Sequence, residues 1–372
     1  MKKEELKTPC YVIQKNKIIR NLEILKSVQE KTGCKILLAQ KAFSMYSLYP
    51  LIGEYLSGAT ASGLYEARLS FEEMRKENHI YSPAYKEEEF EEIAKICDHI
   101  IFNSPYQIEK FQNIALNKNK STGLRVNPEI STQEKAIYDP CAYGSRLGTK
   151  LEDINDEVLK NIDGLHFHTL CEQNSDALKK TLDVFEEKFG KFLYKMKWVN
   201  FGGGHHITRD DYDLKTLYNC IDKIQNKYDV LVYLEPGEAI ALNAGVLYTK
   251  VLDIVKNGID IAILDVSAAC HMPDVMEMPY KPPLKGGYKE FEKEYTYRLS
   301  CPTCLAGDVI GDYSFEKPLK RDDILEFQDM AIYTTVKNNT FNGMKLPDII
   351  LEENGEYKVI RSFSYKDFKE RL

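Results

Sequence analysis

The chain has 372 residues, of which 43% are hydrophobic and 29% are charged. This length predicts one large barrel or two domains in a globular protein of ordinary composition. The formal net charge of −7 argues against a nucleic-acid-binding surface, which needs clustered lysine and arginine. The same charge is compatible with a cationic substrate.

Neither a targeting segment nor a membrane span is predicted. The first residues, Met1 to Lys7, are not followed by an apolar segment, so we expect no signal peptide. No stretch approaches the length of a membrane-spanning helix. The nine cysteines are odd in number and scattered from Cys10 to Cys304, which is typical of reduced thiols in a cytoplasmic protein.

Short apolar runs alternate with helical patterns over the first 245 residues. After a strand at 8–13 and a helix at 17–29, the predicted strands are 35–39, 58–63, 79–83, 99–103, 123–128, 164–168, 198–202 and 230–235. This repeat predicts an α/β fold with a (β/α)8 TIM-type barrel. Polar residues or glycine end these runs, and a barrel would bring those ends to one rim.

The pattern changes after Ala244, where short strands follow one another without long helices. These predicted strands are 246–255, 259–266, 295–299, 324–327, 331–336, 349–352 and 357–361. We therefore expect a C-terminal all-β domain. The predicted division has residues 1–15 as an N-terminal strand joining the β domain, residues 16–245 as the barrel, and residues 246–372 as the β domain.

Lys41 lies just beyond the apolar run at 35–39, at the edge where α/β barrels carry out chemistry. A partly desolvated lysine at that edge has a lowered pKa and can act as a nucleophile. The alternative is an ordinary solvated lysine, since most lysines lie at the surface. The stretch alone leaves both interpretations open.

Two further motifs follow predicted strands. Gly202, Gly203 and Gly204 could let backbone N–H groups cradle a phosphate, or could form a flexible turn. They do not match the dinucleotide fingerprint Gly-x-Gly-x-x-Gly. Glu235, before Pro236-Gly237, could pair with a protonated heterocycle nitrogen, or could serve as a capping or ion-pair residue.

The histidines provide the competing hypothesis of a metal-dependent hydrolase. His166 and His168 share one strand face, and with His205, His206 and His271 they could supply metal ligands. However, no carboxylate lies near them at ligand spacing, and the histidine groups follow different strands. Each histidine could instead stack on an aromatic ring or be a hydrogen-bonded core residue. We expect no metal.

Cys301-Pro302-Thr303-Cys304 has the spacing of a redox or half-zinc motif. A second Cys-x-x-Cys pair is missing, so zinc is not expected. The sequence also lacks a dithiol that opens a helix, as thioredoxin-type chemistry needs. A single reactive thiol with Asp308 nearby fits better.

In this order, the motifs resemble the fold-type III pyridoxal-phosphate decarboxylases of basic amino acids, which include ornithine, arginine and diaminopimelate decarboxylases. The resemblance runs from Tyr11 to Gly343 and implies an alanine racemase-like fold. The closest branch is the carboxynorspermidine and carboxyspermidine decarboxylases of polyamine synthesis. The segments that carry this resemblance are 39–43, 166–169, 202–206, 235–239 and 301–308.

The resemblance implies a cofactor, pyridoxal 5'-phosphate, and residues that hold it. Lys41 matches the lysine that binds the cofactor covalently, and His168 matches the histidine stacked on its ring. Gly202–Gly204 match the phosphate loop, and Tyr333 matches a tyrosine that also reaches the phosphate. Glu235 matches the carboxylate on the ring nitrogen, which favours protonation of that nitrogen.

The resemblance also implies a homodimer, in which Cys304 reaches the reacting carbon across the interface. Two departures stand out: Glu238 replaces an arginine that helps to hold the phosphate in ornithine-type relatives, and Cys171 replaces a serine. Phosphate binding must therefore be redistributed. A carboxylate at Glu238 can hold an ammonium instead, so we assign Glu238, Asp274 and Asp308 to a polyamine substrate.

Three alternatives remain. The first is another enzyme of the same fold, such as a racemase or a diaminopimelate decarboxylase. The second is the metal-dependent hydrolase. The third is a non-catalytic homologue that only binds a regulator, against which the presence of Lys41, Glu235 and Cys304 counts. Carboxynorspermidine and carboxyspermidine differ by one methylene, so the sequence leaves open which is preferred.

Overall fold

The computed structural model describes residues 1–133 and 135–372. The chain forms two compact units, one of Arg20–Ile240 and one of Met1–Ile19 together with Ala241–Leu372. The strands are β1 (Cys10–Gln14), β2 (Lys35–Ala39), β3 (Gly58–Ala61), β4 (Glu77–Tyr81), β5 (His99–Phe102), β6 (Ser121–Arg125), β7 (Gly164–His166), β8 (Trp198–Asn200), β9 (Leu231–Leu234), β10 (Gly245–Asn257), β11 (Ile259–Leu264), β12 (Tyr295–Ser300), β13 (Val309–Phe315), β14 (Ile324–Gln328), β15 (Asp348–Glu353) and β16 (Glu356–Arg361).

The α-helices are α1 (Lys15–Thr32), α2 (Tyr49–Tyr55), α3 (Leu64–Leu69), α4 (Glu87–Ile96), α5 (Pro105–Leu116), α6 (Ser175–Leu193), α7 (Leu214–Tyr228), α8 (Glu238–Ala241), α9 (Ala268–His271), α10 (Asp274–Glu277), α11 (Thr334–Lys337) and α12 (Tyr365–Lys369). Among the described residues, none of these helices is both long enough and apolar enough to cross a bilayer.

The Arg20–Ile240 unit is a closed barrel in which β2 to β9 pair in chain order and β9 returns to β2. Every one of these pairings is parallel. The eight strands predicted from the sequence are therefore confirmed, and so is the barrel. Because the strands are parallel, all their carboxyl ends lie at one rim, where the polar residues that follow them gather.

Bulky side chains fill the barrel interior instead of leaving a pore. Leu37, Ile101, Trp198 and Tyr233 form one buried apolar cluster contributed by four different strands. The indole N–H of Trp198 donates to the hydroxyl of Ser121 at 3.0 Å, which satisfies the polar atom of this large side chain. This packed layer makes the barrel a rigid support for the residues at its rim.

The second unit is mostly sheet. Its strands run in the order β13-β12-β11-β10-β1-β15-β16, and β14 also pairs with the long strand β10. The N-terminal strand β1 lies antiparallel to β10 and parallel to β15. Side chains alternate between two cores: Tyr11 and Leu247 point into the larger one, whereas Val12 and Val246 point into the smaller one.

In this unit one strand prediction was wrong, and one strand was not predicted. Residues 331–336 are not a strand; the chain turns at Tyr333, whose φ is 56°, and then forms the helix α11. The Thr334 hydroxyl accordingly hydrogen-bonds the carbonyl of Met330, so local side-chain bonding overrides the β-branched composition. The strand β13, which pairs with β12, was missed because its alternation is interrupted by Gly311 and Asp312.

Candidate active site

A cavity opens at the carboxyl rim of the barrel and contains Lys41. Seven of the eight strands, or the residues that follow them, contribute to its lining: Ala39, Lys41, Thr60, Ala61, Ser62, Tyr81, Arg125, His166, His168, Gly203 and Glu235. The Lys41 side chain is accessible from this cavity, while the surrounding barrel removes most bulk water from its amine. The amine is therefore reachable by a small molecule in a desolvated setting.

The environment of Lys41 favours a neutral amine. Burial lowers the pKa of Lys41 below its usual value, and the positive charge of Arg125 lowers it further. The carboxylates of Glu235 and Glu238 act in the opposite direction without reversing the shift. A lysine with a lowered pKa is a better nucleophile at neutral pH, so the structure favours the reactive interpretation of Lys41 over the solvated one.

His168 follows β7 and is held in one orientation. Its Nδ1 accepts a hydrogen bond from the backbone N–H of Gly203 at 2.8 Å, and its backbone carbonyl accepts one from Arg125 at 3.1 Å. Burial, followed by the charges of Lys41 and Arg125, lowers the pKa of His168 well below its usual value. The ring is thus neutral, and since Nδ1 is an acceptor, Nε2 carries the proton.

Glu235 follows β9 and is 7% exposed. One carboxylate oxygen, Oε1, accepts a hydrogen bond from the side-chain amide of Asn200 at 2.8 Å. The other oxygen, Oε2, lies 3.6 Å from Nε2 of His166. The backbone N–H of Glu235 donates to the carbonyl of Gly202 at 2.8 Å, which ties this strand end to the glycine loop.

The glycine loop is a tightly packed turn. Gly204 has a φ of +79°, and a Cβ at this position would lie 2.0 Å from the carbonyl oxygen of Leu170. The N–H groups of Gly202 and Gly203 donate to Asn200 and His168. Close approach, and not flexibility, therefore explains the glycines. Within the described residues, the next two N–H groups, of Gly204 and His205, have no protein acceptor.

Glu238 begins α8 and is buried beside the glycine loop. Its Oε2 lies 3.2 Å from Nε2 of His206, and both residues are 7% exposed. Burial, followed by the nearby charge of Glu238, raises the pKa of Cys171 to about 12, so this thiol stays protonated. Glu238 and Cys171, the two residues that depart from the ornithine-type pattern, are thus close enough for the charge of Glu238 to affect the pKa of Cys171.

The donor and acceptor groups of this cavity fit pyridoxal phosphate. Lys41 offers a nucleophilic amine to an aldehyde, and His168 offers a neutral flat ring. Glu235 offers a carboxylate oxygen that lacks a close protein donor among the described residues. The open N–H groups of Gly204 and His205 could donate hydrogen bonds to phosphate oxygens.

The loop that contains Cys304 belongs to the sheet unit. Cys304 is exposed, and its backbone N–H donates to the side chain of Asn342 at 2.7 Å. Asp308 is only 1% exposed and accepts hydrogen bonds from the hydroxyl of Ser267 at 2.7 Å and the N–H of Ala269 at 3.1 Å. Asp308 therefore fastens this loop to the start of α9, and its assignment to substrate stays a prediction.

The two remaining predicted residues also lie in the sheet unit. Asp274 begins α10 and forms an ion pair with Lys337, which also pairs with Glu277. Tyr333 immediately precedes α11 and has the positive φ described above. The roles of Asp274 in substrate binding and of Tyr333 in phosphate binding stay predictions.

Sequence reasoning missed Arg125 and Asn200. Arg125 is 4% exposed, lowers the pKa values of Lys41 and His168, and lies over the ring of Tyr81 at 4.6 Å. Asn200 contacts both Glu235 and the glycine loop. Both are polar residues that end buried barrel strands, β6 and β8, and that position was a usable signal for a functional rim residue.

In the described part of the chain, the side chains grouped closely enough to hold a metal ion are Glu77, His79 and His99. They belong to β4 and β5, and none of the five histidines of the metal hypothesis is among them. The rings of His79 and His99 stack at 4.0 Å with 14° between their planes, so their in-plane lone pairs run parallel instead of converging. Lys35 and Tyr233 already bind the carboxylate of Glu77.

Comparison with protein families identifies a match over residues 10–331 to a model described as pyridoxal-dependent decarboxylase, C-terminal sheet domain. The chain is 47% identical to a carboxynorspermidine/carboxyspermidine decarboxylase of Campylobacter jejuni, with 99% of each chain covered. It is 39% identical to a carboxyaminopropylagmatine decarboxylase of Synechocystis, with 99% of this chain and 96% of the relative covered.

Among solved structures, the crystal structure of carboxynorspermidine decarboxylase from Campylobacter jejuni complexed with norspermidine is similar over the whole chain. The TM-score is 0.93 and the identity is 46%, with 99% of this chain and 100% of that chain covered. The barrel and the mostly-sheet unit described above therefore occur together in that protein.

Proposed function

The chain belongs to the pyridoxal-dependent decarboxylase family, and from that premise we propose that it decarboxylates carboxynorspermidine and carboxyspermidine to norspermidine and spermidine. Members of this family use pyridoxal phosphate, and the chain is a carboxy-lyase of that type. The observation that carries the substrate assignment is the 47% identity, over 99% of each chain, to a relative named for these two substrates.

The cofactor-binding roles belong to the proposed barrel domain, residues 16–245. Lys41 supplies the amine that holds the cofactor, and its lowered pKa supports this role. His168 packs its neutral ring on the cofactor, and Glu235 directs an oxygen at the ring nitrogen. The loop Gly202–Gly204 binds the phosphate, and the open N–H groups of Gly204 and the adjoining His205 support that assignment.

The residues of this site contribute to catalysis by positioning charges and protons. Bound pyridoxal phosphate supplies an electron sink for the pair left behind when a carboxylate departs as carbon dioxide. Glu235 holds a proton at the ring nitrogen, which strengthens that sink. Burial, followed by the charges of Lys41 and Arg125, lowers the pKa of His168 and keeps its ring neutral, so the ring next to the cofactor adds no competing positive charge. Cys304 delivers the proton that completes the product.

Substrate binding is assigned to Glu238, Asp274 and Asp308. A polyamine chain carries secondary and distal ammonium groups, which need carboxylates at intervals along a pocket. Glu238 is buried at the barrel rim, where a desolvated carboxylate attracts an ammonium strongly. Binding an ammonium there would compete with the pairing of Glu238 and His206.

We further propose that the protein is a cytoplasmic homodimer, in which Cys304 and Tyr333 of the β domain, residues 246–372, complete the site of a second copy. Exposed apolar side chains on the βα segments at the cavity rim support an interface there. These side chains are Tyr46 (54% exposed), Tyr65 (80%), Tyr106 (65%), Ile137 (70%) and Tyr143 (108%).

A second candidate is the decarboxylation of carboxyaminopropylagmatine, which is favoured by the 39% identity to a relative of that name. A guanidinium end would replace an ammonium end in that substrate. Because guanidinium is planar and binds carboxylates in a bidentate manner, the two substrates place different demands on the distal pocket.

Release of carbon dioxide tests the proposal. The purified protein is supplied with pyridoxal phosphate and, in separate reactions, with carboxynorspermidine, carboxyspermidine, carboxyaminopropylagmatine and diaminopimelate. We expect the two carboxylated polyamines to give the highest kcat/KM. A higher kcat/KM for carboxyaminopropylagmatine or diaminopimelate would reassign the substrate, and a lack of release from all four would overturn the proposed reaction.

A further inference from the structure

Among the described residues, Asn200 alone joins the glycine loop to the carboxylate of Glu235 through its side chain. It is the last residue of β8 and is 0% exposed. Its Nδ2 donates to Oε1 of Glu235 at 2.8 Å, and its Oδ1 accepts from the N–H of Gly202 at 2.8 Å. We propose that Asn200 is a positioning residue, which fixes the Glu235 oxygen that faces the cofactor.

The chemistry of the two partners fixes the orientation of the amide. A carboxylate can only accept hydrogen bonds and a backbone N–H can only donate one, so the Asn200 side chain cannot be flipped without losing both bonds. Oε1 of Glu235 is therefore occupied by the hydrogen bond from Asn200. Oε2 is the oxygen left for another donor.

The surroundings of Oε2 contain no strong competitor. His166 Nε2 is 3.6 Å away, which is longer than a hydrogen bond, and both of its ring nitrogens lack hydrogen-bond partners within the described residues. Burial, followed by the charges of Arg125 and Lys41, lowers the pKa of His166 well below its usual value, so the ring is uncharged. Oε2 thus remains available to a protonated ring nitrogen.

This inference rests on the proposed role of Glu235. If Asn200 is removed, Oε1 loses its donor in a buried site, and the carboxylate can rotate or take up a proton of its own. Either change weakens its hold on the proton of the ring nitrogen. The glycine loop loses its anchor at Gly202 in the same step.

The barrel contains a matched control. Asn78 on β4 is also 0% exposed, and its amide donates to the carbonyls of Ala67 at 2.9 Å and Ile96 at 3.0 Å. Truncating Asn78 removes a buried amide of the same size without touching Glu235. Any general effect of truncating a buried asparagine should therefore appear in Asn78→Ala as well as in Asn200→Ala.

The test uses pyridoxal phosphate labelled with ¹⁵N at the ring, bound to the protein without substrate. In Asn200→Ala we expect the ¹⁵N resonance to move towards that of an unprotonated pyridine, and kcat to fall by about tenfold to a hundredfold. In Asn78→Ala we expect the wild-type resonance and a kcat within about twofold of wild type. A wild-type resonance in Asn200→Ala would overturn the proposal.

Asn200→Asp keeps the test informative if Asn200→Ala does not fold. The aspartate can still accept from Gly202, but it can donate to Glu235 only when it is protonated. The kcat–pH profile should therefore shift to lower pH, whereas an unshifted profile would contradict donation by Asn200. Because the ¹⁵N signal needs no substrate, it can support or overturn this inference even if the proposed substrates prove wrong.

Discussion

Gly203 donates its backbone N–H to Nδ1 of His168 at 2.8 Å. This bond joins two motifs that lie 35 residues apart in the sequence, and it decides which nitrogen of the histidine carries the proton. The glycine loop and the histidine are consequently one structural element. A disturbance of the loop should therefore reach the ring of His168 even when the histidine itself is unchanged.

Gly204→Ala tests the tight packing of this loop. Gly204 combines a φ of +79° with a neighbouring carbonyl only 2.0 Å from an added Cβ, whereas Gly33 has a φ of +73° and open space. Gly33→Ala thus measures the backbone strain alone, for which we expect a loss of about 1 kcal/mol in the free energy of unfolding. Gly204→Ala should lose at least about 2 kcal/mol more and bind pyridoxal phosphate more weakly.

Chemical denaturation and cofactor titration measure these two effects. An equal loss of unfolding free energy in Gly33→Ala and Gly204→Ala would contradict the packing argument. Unchanged cofactor affinity in Gly204→Ala would argue against a role of the loop in phosphate binding.

The barrel was predictable because each strand is a short apolar run that ends in a polar residue or glycine. Lys41 and Glu235 stood out for the same reason: each follows such a run directly. By contrast, the strand-end positions of Asn200 and Arg125 could mark them as rim residues but could not show their contacts, since nothing in a linear pattern shows that Asn200 on β8 faces Glu235 after β9.

In the region around Tyr333, the local sequence pattern predicted the wrong secondary structure. Residues 331–336 have the β-branched and aromatic composition of a strand, yet the chain turns at Tyr333 and continues as α11. Local bonding of the Thr334 hydroxyl to the carbonyl of Met330 outweighs the β propensity here, because that propensity mainly reflects the neighbours that a sheet would provide. The motif match singled out Tyr333 for a role that stays a prediction, and it did not predict the backbone conformation of this residue.

Lys41→Ala should abolish the reaction, because the variant lacks the amine that holds the cofactor. We expect kcat to fall by at least about a hundredfold. Borohydride reduction of the wild-type protein with pyridoxal phosphate, followed by mass spectrometry, should place the adduct on Lys41. Lys197→Ala is a suitable control, since Lys197 forms a surface ion pair with Asp163 and its side chain is 76% exposed. A Lys41→Ala protein that kept wild-type turnover would exclude the proposed mechanism.

Glu238→Gln should weaken binding of the polyamine substrates, because the amide keeps the shape of the carboxylate and loses its charge. We expect KM for carboxynorspermidine to rise by about tenfold or more, which corresponds to a lost charge-assisted hydrogen bond of about 1.5–3 kcal/mol. Glu129→Gln is the matched control, since Glu129 forms partly exposed ion pairs with Lys150 and Lys188. An unchanged KM in Glu238→Gln would remove Glu238 from the substrate site.

Mixing two inactive variants tests the proposed homodimer. Lys41→Ala removes the cofactor lysine and Cys304→Ala removes the proposed proton donor, so neither variant alone should be active. If each site combines Lys41 of one copy with Cys304 of another, random re-pairing should restore about a quarter of wild-type turnover. A mixture with no more activity than its parents would argue for sites built within one copy, or for a monomer.

Buried histidines should cause part of the decrease in the free energy of unfolding at acidic pH. Burial lowers the pKa of His205 to about 4 from its usual value of 6.5. Below about pH 6.5, His205 binds a proton in the unfolded chain but not in the folded protein. The stability that the neutral ring confers is therefore complete above pH 6.5 and is lost as the pH falls towards about 4. From pH 7 to pH 5 this residue alone should remove about 2 kcal/mol from the free energy of unfolding. His205→Gln does not titrate, so urea denaturation should show a smaller loss over the same range in this variant, and equal losses in both proteins would contradict the assignment.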